Sequence, residues 1–180
     1  MTRDELEHAI RAACDVADDS AVYVFGSQAI LGEFPDAPPE LRQSVEVDMT
    51  PVTRPDQVDR IDANLGELSQ FHQSHGFYVH GIHIDETATL PPGWRDRVVH
   101  VSNDATRHKT GLCLDAYDLA ASKLAAFRDK DRDFVRVLLF HRLLDPAQLQ
   151  ARVQSMEVVP SNKKDRWLRW IDLTERDLAK

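Results

Sequence analysis

The chain has 180 residues, of which 42% are hydrophobic and 29% are charged. These values are typical of a globular protein and exclude a disordered or fibrous one. The longest purely apolar run is Ala21–Phe25, far shorter than the roughly 20 residues that a membrane helix needs. The two cysteines, Cys14 and Cys113, are too few for a disulfide framework, and no apolar leader follows Met1. We therefore expect a cytoplasmic protein with no membrane partner.

The net charge of −8 is unevenly distributed along the chain. Residues 1–105 carry 7 Lys and Arg against 19 Asp and Glu, whereas residues 106–180 carry 15 against 11. A basic C-terminal part indicates a polyanionic ligand on that side. The solvated faces of amphipathic helices explain the same excess, so charge alone leaves both interpretations open.

The spacing of apolar residues predicts secondary structure along the whole chain. In chain order we predict a helix over 3–17, a buried strand over 21–25, a short helix over 28–31, a proline-rich loop over 32–40, a strand over 45–49, a helix over 56–71, strands over 76–84 and 98–101, and helices from 115 onward, the last over 163–178. We therefore predict an α+β fold, with a small mixed sheet flanked by helices over residues 1–110 and a C-terminal helical bundle over 111–180 that closes the cleft.

Gly26 and Ser27 stand between the first predicted strand and the short helix that follows it. Glycine lets the backbone turn tightly and approach a ligand closely, and the serine hydroxyl and exposed N–H groups of such a turn can hold phosphate oxygens. A strand-to-helix turn uses this pair for structural reasons as well, so the pair alone is weak evidence for a ligand.

Glu46 and Asp48 lie two residues apart in the second predicted strand. Side chains at i and i+2 of a strand point the same way, about 7 Å apart. Two neighbouring carboxylates repel each other, and Mg²⁺ bound through them and through nucleotide phosphates removes that cost. A solvated strand face is the alternative interpretation.

Taken together, these two features resemble the nucleotidyltransferase superfamily that includes DNA polymerase β. The sequence resembles more closely the AbiEii and MenT-type toxins of bacterial toxin–antitoxin modules. Three motifs in residues 20–140 carry the resemblance: Gly26–Leu31, Arg42-x-Ser44-x-Glu46-x-Asp48, and the helix Asp118–Ala126 with Lys123. Glu46 stands where the family more often has Asp.

The resemblance implies roles for individual residues. Glu46 and Asp48 would bind Mg²⁺ or Mn²⁺. The nucleotide would be bound by Gly26, Ser27, Arg42, Ser44 and Lys123. Either Asp131 or Asp133 would orient the acceptor or a water molecule, although interleaved surface charge explains these acids equally well. Asp85, at the end of the predicted strand 76–84, is the candidate for a third metal-binding carboxylate.

The residues around Lys123 also favour a role for it in a binding site. It lies among Leu119, Ala120 and Leu124 on a predicted helix. A lysine in such a setting can extend its stem along apolar surface and deliver its charge into a cleft. A solvated helix lysine is the alternative.

The resemblance implies transfer of a nucleoside monophosphate from a nucleoside triphosphate (NTP) to an acceptor hydroxyl, either the 3′ end of tRNA or a protein. The chain would then be a toxin with a cognate antitoxin as partner. The alternative is a catalytically weak nucleotide-sensing or partner-binding module on the same fold.

Three further patterns favour simpler interpretations. The histidines at 72, 75, 80 and 83 do not predict zinc, because His80 and His83 would leave opposite faces of one strand. Ser27 lacks the G-x-S-x-G elbow of a hydrolase. The stripe with Trp167 and Trp170 in the last helix indicates packing, with an interface for an acidic partner or RNA as the alternative because Lys163, Lys164, Arg166 and Arg169 surround it.

Overall fold

The computed structural model describes residues 1–157 and 159–180 and has an α+β fold. Within these residues, one mixed sheet contains five strands: β1 (Ala21–Phe25), β2 (Glu46–Pro51), β3 (Tyr78–Gly81), β4 (Val99–Val101) and β5 (Thr110–Cys113). Their spatial order is β3-β2-β1-β5-β4. The central strand β1 is antiparallel to β2 and parallel to β5, whereas β2 and β3 are parallel.

The described residues also form nine α-helices: α1 (Arg3–Ala17), α2 (Ile30–Glu33), α3 (Val58–Leu65), α4 (Gln70–His75), α5 (Ile84–Thr87), α6 (Ala116–Ala126), α7 (Asp129–Phe140), α8 (Pro146–Gln154) and α9 (Ser161–Leu178). Short 3₁₀ turns occur at Ser27–Ala29, Pro39–Leu41, Pro55–Gln57 and Trp94–Asp96. Of the helices in these two described ranges, none has both the length and the apolar character needed to cross a membrane.

The chain divides into two compact units. The first consists of Met1–Ala88 and Arg97–Asp115 and contains the sheet with α1 to α5. The second consists of Thr89–Asp96 and Ala116–Lys180 and contains α6 to α9.

Helix α1 organises the core of the first unit. Thr2 and Glu5 form a reciprocal capping box at its start, which satisfies backbone N–H groups that the helix itself leaves unpaired. Its apolar face, including Leu6 and Ile10, is completely buried against α3 and strands β1, β2 and β5. Gly111 of β5 leaves the space that Ile10 fills, because a Cβ added at Gly111 would overlap the Ile10 side chain.

The start of β1 is fixed by the carboxylate of Asp19, which is almost fully buried. It accepts backbone hydrogen bonds from Ser20 and Ala21 on its own segment, and from Thr53 and Arg54 beyond β2. Burial raises the pKa of Asp19, but these backbone N–H donors outweigh it and hold the pKa below its ordinary value. Asp19 therefore ties the two neighbouring strand ends together as an anion.

The second unit is a helical bundle in which α6 packs on α7 and α8, and α9 packs on α7 and α8. Asp118 of α6 is completely buried, and its Oδ1 lies 2.6 Å from a guanidinium nitrogen of Arg152 in α8. Trp167 and Ile171 of α9 are buried, whereas Trp170 is half-buried. The predicted packing role thus applies to Trp167, and Trp170 retains an exposed part.

Several elements differ from the sequence-based expectation, including α5, which was not predicted. The predicted helix over 56–71 is divided, because α3 ends before Gly66, and Leu68 has a positive φ of 64° and lies exposed. The predicted strand over 76–84 ends at Gly81. Strand β5 was not predicted, because a glycine in a four-residue segment weakens the strand signal.

Candidate nucleotide and metal site

The turn after β1 is built around Gly26. Its φ is +67°, a conformation that side chains rarely adopt, and a Cβ at this position would overlap Oδ2 of Asp48. The overlap follows from the sheet register, since Phe25 of β1 pairs with Asp48 of β2. Glycine is therefore required both by the turn and by the close approach of the Asp48 carboxylate. Ser27 begins the 3₁₀ turn that follows.

Glu46 and Asp48 lie on one face of β2, as their spacing predicts. Val47 and Met49, which alternate with them, are buried on the other face. The Glu46 and Asp48 side chains are 39% and 24% exposed, so solvent reaches both carboxylates. Val45, which the sequence places with the buried residues, lies before the strand and is exposed.

His80 brings a third donor to the two carboxylates. The parallel register of β2 and β3 sets His80 beside Asp48, and its Nδ1 lies 3.0 Å from Asp48 Oδ1 and 3.1 Å from Glu46 Oε1. In the part of the chain that the structure describes, this is the one group of three acidic, histidine or cysteine side chains whose ligand atoms all lie within 4.8 Å of one another. Two carboxylates and an imidazole are suitable ligands for a divalent cation such as Mg²⁺ or Mn²⁺.

Tyr78 shows how negative this face of the sheet is. Burial, the charges of Glu46, Glu67 and Asp48, and a hydrogen bond to Glu46 all raise the pKa of the Tyr78 hydroxyl. Each of these charges disfavours a further anion, and the same field attracts a cation. The negative charge of this face therefore favours binding of a cation by Glu46, Asp48 and His80.

The loop before β2 is tied to the Gly26–Ser27 turn. Gln28 is completely buried, and its Nε2 donates a hydrogen bond of 3.1 Å to the Ser44 carbonyl. The Ser44 hydroxyl in turn accepts a bond from the Glu46 backbone N–H. Among the described residues, the two buried side-chain atoms with no hydrogen-bond partner are Gln28 Oε1 and Arg42 Nε. Such atoms are rare in folded proteins, and a bound ligand is one way to satisfy them.

In the helical unit, Lys123 and Asp131 form a buried pair. The Lys123 Nζ lies 3.6 Å from Asp131 Oδ1 and 4.5 Å from the centre of the Phe134 ring. Arg128 adds a second cation, with its Nε 2.6 Å from Asp131 Oδ2. Burial lowers the pKa of Lys123, and the Asp131 charge opposes that shift only in part. Burial raises the pKa of Asp131, but the Arg128 hydrogen bond and the Lys123 charge outweigh it, and the pKa lies below its ordinary value.

The other candidate acids are placed differently. Asp133 is exposed on α7, whereas Asp129 is exposed and pairs with Arg132. Asp85 lies in the short helix α5 rather than at a strand end, and it is exposed. Within the described residues, Asp85 does not belong to the three-donor cluster, where His80 takes the third place.

Sequence reasoning missed His80. The pairing that brings it to Asp48 joins residues 32 positions apart, and the predicted strand over 76–84 gave no register against β2. A signal was nevertheless present. Phe77 and Val79 are apolar and alternate with Tyr78 and His80, so these two polar residues share one strand face.

Comparison with models of protein families gives a match over nearly the whole chain. The model of a family described as "Nucleotidyltransferase of unknown function (DUF6036)" matches residues 4–176. The chain belongs to this nucleotidyltransferase family. Searches of curated proteins and of solved structures give no match. The match supports the prediction of a nucleotidyltransferase, and membership of such a family implies an NTP substrate and usually a divalent metal.

The residues present fit such a metal. Glu46, Asp48 and His80 supply two carboxylates and one imidazole nitrogen, and the Asp48 carboxylate lies against Gly26 at the start of the turn. The family match includes all of these positions, and it also includes Lys123 and Asp131 of the helical unit.

Proposed function

We propose that this protein transfers a nucleoside monophosphate from an NTP to an acceptor hydroxyl and releases pyrophosphate. The observation that carries the proposal is the contact of the Gly26 turn with the Asp48 carboxylate, beside Glu46 and His80. This contact supports the proposal, because a turn that holds phosphates beside ligands for a divalent metal is the combination that phosphoryl-transfer chemistry needs.

Glu46, Asp48 and His80 would hold Mg²⁺ or Mn²⁺. When bound, the metal neutralises charge on the triphosphate and lowers the pKa of the attacking oxygen. The acidic face supports this assignment, because the carboxylates of Glu46 and Asp48 raise the pKa of Tyr78 and would repel a triphosphate that arrived without a cation.

The phosphate groups would be held by the backbone after Gly26 and by the Ser27 hydroxyl. Arg42 and Ser44 lie in the loop that Gln28 ties to this turn, and the buried Arg42 Nε has no hydrogen-bond partner in the described structure. We assign Arg42 to the nucleotide, because a phosphate oxygen is a strong acceptor for a guanidinium N–H.

Lys123 and Asp131 would serve the same reaction. In the proposal, the Lys123 ammonium offsets negative charge on the departing pyrophosphate, and Asp131 holds that ammonium in place. The burial of the pair supports a specific role, since exposed ion pairs contribute little to stability or to geometry. Asp133 lies exposed, so the structure favours Asp131 over Asp133 as the acid of this helix.

The acceptor and the biological role rest on the resemblance to AbiEii and MenT-type toxins. The acceptor would be the 3′ end of tRNA, or else a protein. The protein would act as a toxin, with a cognate antitoxin as its partner. The test is incubation with each α-³²P-labelled NTP, Mg²⁺ or Mn²⁺, purified tRNA and total bacterial lysate. Label in RNA or in protein identifies the acceptor class. NTP binding without transfer to either would overturn the proposal and favour a nucleotide-sensing module.

A further inference from the structure

A groove in the helical unit lies between α7 and α9 and has a volume of about 490 Å³. It is lined by Phe127, Arg132, Arg136, Arg166, Arg169, Trp170 and Leu173. This is a size in the ordinary range of ligand sites. Four of the seven lining residues are arginines, and two of the others are aromatic.

Helical spacing brings these side chains together in two rows. Arg132 and Arg136 are four residues apart on α7, while Arg166, Arg169 and Trp170 share one face of α9. The rows face each other across the groove, because all of these residues line the same cavity. The result is a strip of positive charge along two packed helices.

Three of the four groove arginines have no acidic partner among the residues that the structure describes. Arg132 pairs with Asp129 and also donates to the Phe127 carbonyl. Within the described residues, Arg136, Arg166 and Arg169 form no salt bridge with an acidic side chain, and the lining contains no acid. Acids do occur on the same two helices, including the exposed Asp133, Asp165 and Asp172, but they do not line the groove.

Aromatic rings occupy the same groove. The guanidinium carbons of Arg166 and Arg132 lie 4.2 and 4.9 Å from the centre of the Phe127 ring. Trp170 meets Phe127 edge to face, with ring centres 6.4 Å apart, and remains half-buried. Stacking on Phe127 holds two guanidiniums in the groove, and the partly exposed Trp170 offers an aromatic surface beside them.

We propose that this groove binds single-stranded nucleic acid. Unpaired arginines bind backbone phosphates in a geometry that suits two parallel hydrogen bonds, and exposed aromatic faces stack with unpaired bases. An acidic peptide would use the arginines but has no planar bases for Trp170, and bases in a duplex are already stacked. The groove therefore fits a single strand better than either. This inference concerns binding alone and does not require nucleotidyl transfer.

The test is fluorescence anisotropy with a labelled oligouridylate RNA of about twelve nucleotides, a length within the usual site sizes of single-strand binders. NTP and metal are omitted, and the Asp48→Asn variant is measured in parallel, so a chain with no transferase activity still gives a result. The key variant is Arg136→Gln with Arg169→Gln, since both residues are exposed. Its matched control is Lys163→Gln with Arg176→Gln, which removes the same charge from exposed α9 positions outside the groove.

The expected result is a loss of affinity of about tenfold or more in the groove variant and about twofold or less in the control. The slope of log affinity against log salt should become shallower by about 1.4 in the groove variant, because each phosphate contact to a single strand contributes about 0.7. Trp170→Leu should weaken binding about tenfold with an unchanged salt slope, since stacking releases no counterions.

Equal losses in the groove variant and its control would overturn the proposal. So would binding of the corresponding duplex as tightly as the single strand, or tighter binding of an oligoglutamate peptide than of the RNA. If Trp170→Leu lowers thermal stability, its binding result is set aside, and the comparison between the Arg136→Gln, Arg169→Gln variant and its control decides whether the groove binds RNA. Circular dichroism checks that both of these variants are folded.

Discussion

The Nδ1 atom of His80 lies 3.0 Å from Oδ1 of Asp48, across the parallel pairing of β2 and β3. This contact gives the carboxylate pair of β2 a nitrogen neighbour. Imidazole is a better ligand for Mn²⁺ and other transition metals than for Mg²⁺, which prefers oxygen. If His80 is a ligand, the site should therefore bind Mn²⁺ more tightly than Mg²⁺.

We expect His80→Gln to weaken Mn²⁺ binding on the order of tenfold and to weaken Mg²⁺ binding much less. Isothermal titration with each ion, in the absence of NTP, measures both affinities. His100→Gln is the control, since His100 is an exposed histidine on β4 of the same unit. No loss for either ion would show that His80 is not a ligand, and equal losses for the two ions would contradict the expected preference of this residue for Mn²⁺.

Gly26→Ala should disturb the site through Asp48. The new Cβ would overlap Asp48 Oδ2, and the Gly26 backbone (φ +67°, ψ −167°) lies in a region that is essentially restricted to glycine, where a side chain costs about 1–3 kcal/mol. Gly76→Ala is a matched control, because Gly76 has a φ of +76° and nothing within 4 Å of an added Cβ. Gly26→Ala should therefore lose more stability on thermal unfolding than Gly76→Ala, because only its added Cβ also overlaps another side chain.

Only Gly26→Ala should also lose metal affinity, by about tenfold or more, because only there does the added group displace a ligand. Titration of Mn²⁺ into the two variants makes the comparison. A similar metal affinity in both would mean that the contact between Gly26 and Asp48 has no part in metal binding.

Asp131→Asn should destabilise the helical unit by about 3 kcal/mol, since it leaves Lys123 charged and buried without its carboxylate. Asp133→Asn changes an exposed acid two residues away and should stay within about 0.5 kcal/mol of the wild type. Urea unfolding of both variants measures the difference. If the two substitutions cost the same, the pair formed by Lys123 and Asp131 does not stabilise the fold.

Asp19 makes the stability of the first unit dependent on acid pH. Its pKa is lowered in the folded protein, because backbone N–H donors outweigh the effect of burial. A group of this kind contributes fully above its unfolded pKa of about 3.9, and the contribution is lost as pH falls through the lower folded pKa. Asp19→Asn should therefore cost about 1–3 kcal/mol near pH 6.

The same difference between wild type and Asp19→Asn should shrink steadily below about pH 4. Asp18→Asn serves as the control, because Asp18 is exposed and its left-handed backbone suits Asn. Chemical denaturation across the acid range gives both curves. A difference for Asp19→Asn that stayed constant from pH 6 to below pH 3 would contradict this account.

Local patterns predicted the parts of the site that lie within one element. The buried strand Ala21–Phe25 has the predicted bounds, and the period of two placed Glu46 and Asp48 on one face. The position of His80 depends on a register between distant strands, which no local pattern contains. The end of the helix at Gly66 was also not predicted. The helical spacing of Val58, Ile61 and Leu65 continues to Leu68 in the sequence, but in the structure Leu68 lies outside the helix and is exposed.

In the helical unit, too, local patterns predicted single elements but not the contacts between them. Lys123 was predicted to run along apolar surface, and its ammonium does lie over Phe134. The choice between Asp131 and Asp133 could not be made from sequence, because it depends on which residue begins α7. The arginine groove needs two helices placed side by side, and the sequence indicated only the basic residues of one of them.

A crystal structure with Mn²⁺ and an NTP analogue that cannot be cleaved between its α- and β-phosphates would show directly whether Glu46 and Asp48 bind the metal. Anomalous scattering locates the metal without reference to activity. We expect a peak about 2 Å from carboxylate oxygens of Glu46 and Asp48, with the phosphates against the Gly26–Ser27 turn. A metal bound elsewhere, or a nucleotide that does not contact this turn, would contradict this expectation.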